Sequence, residues 1–327
     1  MRFPRLRSVL TVAVTVGIFY LAAAVLQRQL AGVRWQEVVA DLHAVNPLTV
    51  LAALACCAIS YASLAFHEVL AIREAAPESG CSRRRAIVTA LVAYPIGHAV
   101  GVGALSGGAI RLRWYTAAGL PLKAVGETVL LCMIPYAVGL GVLLSLSLIW
   151  RGGPAAALLG VPVGWTLGLA LFFLSFHVVY IIATERVRGR WQWPRWLGGL
   201  SLKLPSGRLT RRQYLIGMVD VGAAAAILWL FLPPEVELSY PAFLPLYVLC
   251  IFAALASNVP AGLGVFESVL LALLPHVPPG QLVGAMLLYR CIYEVLPLAL
   301  AVVGLAAVEV VGKGRAPLSE PRSSAVP

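Results

Sequence analysis

The chain is 327 residues long, 60% hydrophobic and only 12% charged, with a formal net charge of +11. Soluble domains run near half apolar and about a quarter charged, so a cytoplasmic enzyme, a nucleic-acid binder and a secreted disulfide scaffold become poor starting points. Many apolar runs approach or exceed the roughly 20 residues that a helix needs to cross a bilayer, which makes this an integral membrane protein.

In chain order, apolar segments fall near 8–27, 46–72, 86–110, 123–150, 155–183, 214–232, 241–275 and 280–310. The first follows Arg2, Arg5 and Arg7 and is read as a retained helix, because a membrane domain follows it. The connection 184–213 carries "RVRGRWQWPRW" and "GRLTRR", and its tryptophans and basic residues suggest a segment lying at the lipid surface. The residues from Gly312 onward are Pro/Ser-rich and read as a disordered tail. Five cysteines (Cys56, Cys57, Cys132, Cys250 and Cys291) lie in apolar runs, Cys81 sits in a basic loop, and no CxxC pair exists. They read as small apolar side chains, not as zinc ligands or a disulfide framework.

Two segments are irregular. Segment 86–110 contains Pro95 and glycines 97, 101, 103, 107 and 108, then meets Arg111 and Arg113; segment 241–275 is interrupted by "SNVPAGLG" at 257–264. Backbone broken at membrane depth is tolerated only where protein or a watery cavity covers it. Each segment is either a glycine-rich straight span or a hairpin that enters and leaves on one side. Charge favours the hairpins. With both re-entrant and the N-terminus cytoplasmic, 21 of the 25 Lys and Arg residues face the cytoplasm; Arg28, Arg34 and Arg151 lie outside and Arg290 falls within a helix. Six full spans plus two re-entrant broken-helix hairpins then form an all-α polytopic fold. Its halves, about 8–150 and 155–310, repeat the same order upside down within a single transmembrane domain, 1–311. Inverted repeats with broken helices meeting near the midplane are the architecture of many secondary transporters.

Arg290 and Glu294 lie four residues apart, on one helix face, near the middle of the last span. They are either a structural ion pair or the lining of a polar cavity in which Arg290 meets an anionic substrate. Charges kept inside a membrane are expensive, which favours the second. Glu267 opens a half-helix, where a carboxylate caps, pairs with Arg290 or Arg111, or binds a coupling cation or proton. Asn258 and Ser257 suit backbone groups at the break, and Gly262 and Gly264 permit close approach or a positive φ. At the first break His98, Arg111, Arg113 and nearby backbone donors suit a phosphate, the alternative being interfacial anchoring with Trp114 and Tyr115. Glu127 and Asp220 are placed near the cytoplasmic ends of spans, where snorkelling or local pairing is expected, and His67 with Glu68 is a weaker candidate still. Motifs for ATP hydrolysis, dinucleotide binding, zinc proteolysis and GxSxG nucleophiles are absent, so no catalytic residue, metal or cofactor is assigned.

At these same residues the chain resembles the transmembrane region of lysylphosphatidylglycerol synthases and its stand-alone relatives. The resemblance is carried by "GVGALSGGAIRLRWYTAAGL" at 101–120, "NVPAGLGVFESVLLALL" at 258–274 and "LLYRCIYEVLPL" at 287–298, in that order, and covers most of 8–310. It implies movement of a lipid between leaflets, with lipid-contacting positions at Arg111, Arg113, Glu267, Arg290 and the backbone about Gly262–Gly264. The aminoacyl-transferase domain of the two-part members is not expected here, so that activity is not carried over.

The expectation is therefore a bacterial cytoplasmic-membrane protein, both termini cytoplasmic, that binds and translocates a phospholipid or other anionic amphiphile. The alternatives are a non-catalytic partner of a lipid-modifying or glycosyl-transferring enzyme and, behind it, a membrane transferase. No nucleic-acid partner is expected, and oligomerisation is open.

Overall fold

A computed structural model describes residues 45–100, 103–186, 190–192, 201–257, 259 and 262–313. The expected span 8–27, Asn258, the centre of the basic connection and residues 314–327 lie outside the described residues. Ten helices are described: α1 (Pro47–Ala75), α2 (Arg83–Val100), α3 (Gly103–Thr116), α4 (Leu122–Leu159), α5 (Val163–Arg186), α6 (Gly207–Phe231), α7 (Tyr240–Ser257), α8 (Val265–Leu273), α9 (Pro279–Arg290) and α10 (Leu296–Lys313). A π-helical segment, Cys291–Val295, joins the last two.

Six helical stretches among the described residues are long and apolar enough to cross a membrane: Pro47–Ala75, Leu122–Trp150, Val163–Arg186, Gly207–Phe231, Tyr240–Ser257 and Pro279–Gly304. The protein is a multi-pass membrane protein. Length and composition alone thus qualify α7 as a span, although the sequence suggested half of a hairpin there.

Both irregular segments do break where the glycines lie. The chain doubles back between α2 and α3, whose packing puts Gly107 against the Ala93 carbonyl; an added Cβ would lie 2.8 Å from that oxygen. It doubles back again between α7 and α8, where Gly262 (φ +61°) faces Ala254 so closely that a Cβ would meet it at 2.5 Å. Only glycine fits this turn both sterically and conformationally.

Two helices form the centre. α4 and α6 cross at Gly139 and Gly217, where a Cβ on Gly217 would meet the Pro135 carbonyl oxygen at 1.9 Å. Small residues that let backbones meet are the usual basis of helix packing in lipid. Around this crossing Ile227 and Leu228 of α6, Phe243 and Leu246 of α7, Leu270 of α8 and Leu282 of α9 are buried together. α5 packs at the edge and turns Phe172, Phe176 and Val179 outward. Caps fix several ends: Asn46 Oδ1 accepts the Leu48 N–H at 2.9 Å before α1. Ser206 caps α6 and gives its own N–H and hydroxyl to Glu74, each at 3.0 Å, tying the end of α1 to the start of α6.

Three local features go beyond the sequence reading. α4 runs through Arg151, Gly152, Gly153 and Pro154, where a loop between spans was expected, and ends at Gly160 (φ +64°) with the Val161 N–H bonded back to the Ala156 carbonyl. The basic connection carries an antiparallel ribbon, β1 (Arg190–Gln192) on β2 (Ser201–Lys203), with Trp191 opposite Leu202. Finally, α10 is helical to Lys313, past the expected start of the tail at 312.

Candidate functional site

The two doubled-back helix pairs meet at one cavity of ≈ 350 Å³. From the first come Tyr94, Gly97, His98 and Arg111, and from the second Tyr247, Ala254, Val259 and Gly262. α4 contributes Cys132 and Tyr136, while Tyr289, Tyr293 and Glu294 close it from the last helical run. The wall is strongly aromatic. Phe266 stacks on Tyr289 with centroids 5.9 Å apart, Tyr289 stacks on Tyr293 at 5.5 Å, and His98 stacks on Tyr293 at 6.1 Å.

Arg111 lines this cavity, and a second arginine, Arg290, is tied to its wall through Glu294; the two have different surroundings. Arg290, at the end of α9, is clamped by two carboxylates: its Nε meets Glu267 Oε1 at 2.5 Å and its Nη1 meets Glu294 Oε2 at 2.7 Å. The second Glu267 oxygen accepts the Gly264 N–H at 2.8 Å, so this carboxylate also caps α8. All three side chains keep partial exposure, 12% for Arg290 and 22% for Glu294. Arg111 is held differently. Its Nε lies 2.9 and 3.1 Å from the Glu68 oxygens, and its Nη2 lies 2.7 Å from Oε2. Tyr115 and Cys132 donate to the same carboxylate at 2.8 and 3.2 Å, and the guanidinium sits 4.6 Å over the Tyr94 ring. Glu68 is fully buried and Arg111 nearly so. This is a saturated buried ion pair, and such a pair fixes geometry more than it offers a charge to a ligand.

Immediately after Arg290 the last helical run changes pitch. The Leu296 N–H reaches back five residues to the Cys291 carbonyl, and Pro297 has no N–H to give. The Ile292 and Tyr293 carbonyls are thereby released from the helix ladder. Two side chains one turn apart on α1 take them up: Cys57 Sγ donates to Ile292 O at 3.3 Å, and Tyr61 Oη to Tyr293 O at 3.2 Å. Beside them Ser60 Oγ donates to Asp220 Oδ1 at 2.5 Å and lies 3.4 Å from the Tyr293 hydroxyl. π-Segments of this kind occur disproportionately at functional sites.

The structure thus gathers Arg111, His98, Gly262 and Glu294 around the cavity, with Arg290, Glu267 and Gly264 joined to them through the clamp. Arg113 is exposed and does not line it. Tyr115, expected at the interface, is buried as the hydroxyl partner of Glu68. Glu68 and His67, expected to matter least, are both fully buried. His67 lies 3.3 Å from Gln213 Nε2, which also donates to the Leu131 carbonyl at 3.3 Å. Asp220 lies midway along α6, 1% exposed, not at a span end, and Glu127 is half-buried. Among the described residues no group of three or more His, Cys, Asp or Glu side chains is placed to hold a metal ion.

Comparison with known proteins bears on this arrangement of two helix pairs around a charged cavity. Residues 8–301 match the family described as the lysylphosphatidylglycerol synthase TM region. The chain belongs to that family. It is similar to protein slr0712 of Synechocystis, 28% identical over 312 residues and 94% of either chain. It is also similar to the inner membrane protein YbhN of Escherichia coli, 26% identical over 88% of each chain. Against the phosphatidylglycerol lysyltransferase of Staphylococcus aureus it is 22% identical over 90% of its own length but only 34% of that protein. The chain thus matches two relatives along nearly their whole length and spans only about a third of the lysyltransferase.

Proposed function

We propose that the protein binds the phosphate of an anionic lipid or related amphiphile in this cavity and moves it between leaflets. The observation that carries the reading is the clamped but partly exposed Arg290 beside a cavity that both doubled-back helix pairs line. In the empty state Glu267 and Glu294 hold the guanidinium. A phosphate replaces Glu294, the more exposed carboxylate and one that lines the cavity, while Glu267 stays bound to Gly264 and keeps Arg290 aimed. Protons taken up or released by the displaced carboxylate couple binding to a gradient. Arg111, saturated by Glu68, positions the first pair and does not itself carry the phosphate. The aromatic wall suits the glycerol and upper acyl region, and the tails stay toward lipid.

The accompanying topology has six full spans, counting the segment 8–27 expected from the sequence with α1, α4, α5, α6 and the run from α9 to α10, and takes α2–α3 and α7–α8 as re-entrant hairpins, although length alone would let α7 span. The two halves are inverted repeats, both termini are cytoplasmic, and the membrane is a bacterial inner membrane. The division of each irregular segment into two packed helices, α2 with α3 and α7 with α8, and the positive-inside count support this arrangement. YbhN is itself called an inner membrane protein. A second reading, a non-catalytic partner of a lipid-modifying enzyme, is favoured by the match to one part of the lysyltransferase.

The test is leaflet exchange of fluorescent lipids in proteoliposomes, followed by dithionite quenching over a panel of headgroups. Headgroup-selective exchange that Arg290→Ala abolishes supports translocation. No exchange by folded protein across the panel overturns it and brings the partner reading forward.

A further inference from the structure

A second opening lies on the other side of Tyr61 from the cavity. It is a groove of ≈ 760 Å³ between α1, α2 and α6, walled by Tyr61, Phe66, Leu70, Ile87 and Leu91. Three arginines close one end: Arg73 in the last turn of α1, Arg83 at the start of α2 and Arg212 near the start of α6. All three are exposed, and none has an ion-pair partner among the described residues. Of the nearby carboxylates, Glu74 accepts from Ser206 and Glu185 pairs with Arg211, while Glu78, exposed on the α1–α2 loop, forms no ion pair with the three arginines among the described residues. Like charges from three separate elements line one groove, beside apolar walls that leave Phe66 54% exposed.

We propose that this groove is a binding site for an anionic phospholipid, its phosphate on Arg73, Arg83 and Arg212 and one acyl chain along α1 from Val69 toward Ala58. The dimensions suit a lipid. Arg73 to Ala58 is fifteen residues of helix, about 22 Å, against the roughly 15 Å of hydrocarbon that one leaflet supplies, so headgroup and chain both fit along it. Charge complementarity selects the occupant. Arginine forks match phosphate oxygens and are weakly hydrated at an interface. Segment 8–27 of the chain is the competing occupant, but the arginines that lead it (Arg2, Arg5 and Arg7) would bring like charge to the same end. The site is separate from the Arg290 clamp, so the exchange assay neither supports nor removes it.

The experiment places the photoreactive amino acid p-benzoylphenylalanine at position 62, an exposed alanine of the groove wall, in the full chain. The protein is reconstituted in vesicles of equal phosphatidylglycerol and phosphatidylcholine, irradiated, and its adducts are identified by mass spectrometry. The same probe at position 172, outward-facing on α5, gives the background ratio of the two lipids. The expected result is enrichment of phosphatidylglycerol adducts at 62 over 172. Each of Arg73→Gln, Arg83→Gln and Arg212→Gln lowers it by up to roughly fivefold, while the matching Lys variants retain it. Equal ratios at both positions, enrichment that survives all three Gln variants, or an adduct to residues 8–27 would overturn the proposal.

Discussion

Removing one partner of the Glu68–Arg111 pair is the most demanding test of the claim that Arg111 is a structural pin. Arg111→Met keeps a similar length and apolar stem but leaves the Glu68 carboxylate fully buried, with only the Tyr115 hydroxyl and the Cys132 thiol to satisfy it. Breaking a buried pair this way costs about 3–5 kcal/mol. At about 2–4 °C per kcal/mol for a large domain, the midpoint falls by on the order of 10 °C. Glu68→Gln strands the guanidinium instead and is expected to cost a similar amount. Combining the two removes both charges while the amide oxygen still accepts from Tyr115, so the double variant recovers most of the loss. Thermal unfolding of the detergent-solubilised protein, followed by loss of the monodisperse chromatographic peak, reads all four proteins. Single variants that melt within a degree or two of wild type, or a double variant whose loss is the sum of the singles, would refute the buried-pin reading.

Gly217→Ala drives a methyl group into the Pro135 carbonyl and should abolish the monodisperse peak, whereas Gly153→Ala, with nothing within 4 Å of its Cβ, should leave it unchanged. Tyr61→Phe leaves the Tyr293 carbonyl without its donor and should cost about 1–3 kcal/mol, read in the same melt; an unchanged midpoint would show that the π-segment does not depend on α1. Glu267→Ala loses both the bond to Arg290 and the α8 cap, Glu294→Ala only the former, so Glu267→Ala should be the less stable by about 0.5–2 kcal/mol. A reversed order in the same melt contradicts the dual role of Glu267.

The class of the molecule and the position of both breaks were legible because apolar run length and glycine clustering are local signals. Arg290 and Glu294 were legible for the same reason, since four residues on one helix share a face. The partner of Arg111 was not: Glu68 lies 43 residues earlier, on another helix, and only packing brings it within reach. Asp220 was misplaced because the apolar run starts near 214, whereas the helix starts at Gly207 under the Ser206 cap. Gly152, Gly153 and Pro154 look like a turn, yet the helix continues through them, with the Thr166 hydroxyl of α5 bonded to the Gly152 carbonyl at 3.5 Å. The π-segment left one trace that local reading could have used. Pro297, four residues after Tyr293, requires that a carbonyl there find a donor outside the helix.

Everything proposed for function depends on a lipid phosphate reaching the guanidinium of Arg290. Solid-state NMR can observe this in vesicles of phosphatidylglycerol, with arginine side chains labelled with ¹⁵N and the lipid phosphorus as partner. Dephasing of a guanidinium signal by phosphorus, present in wild type and missing from that position in Arg290→Lys, is the expected result. A phosphorus-coupled spectrum that the substitution leaves unchanged would mean that the clamp stays shut on its two glutamates and that the cavity does not take the headgroup there.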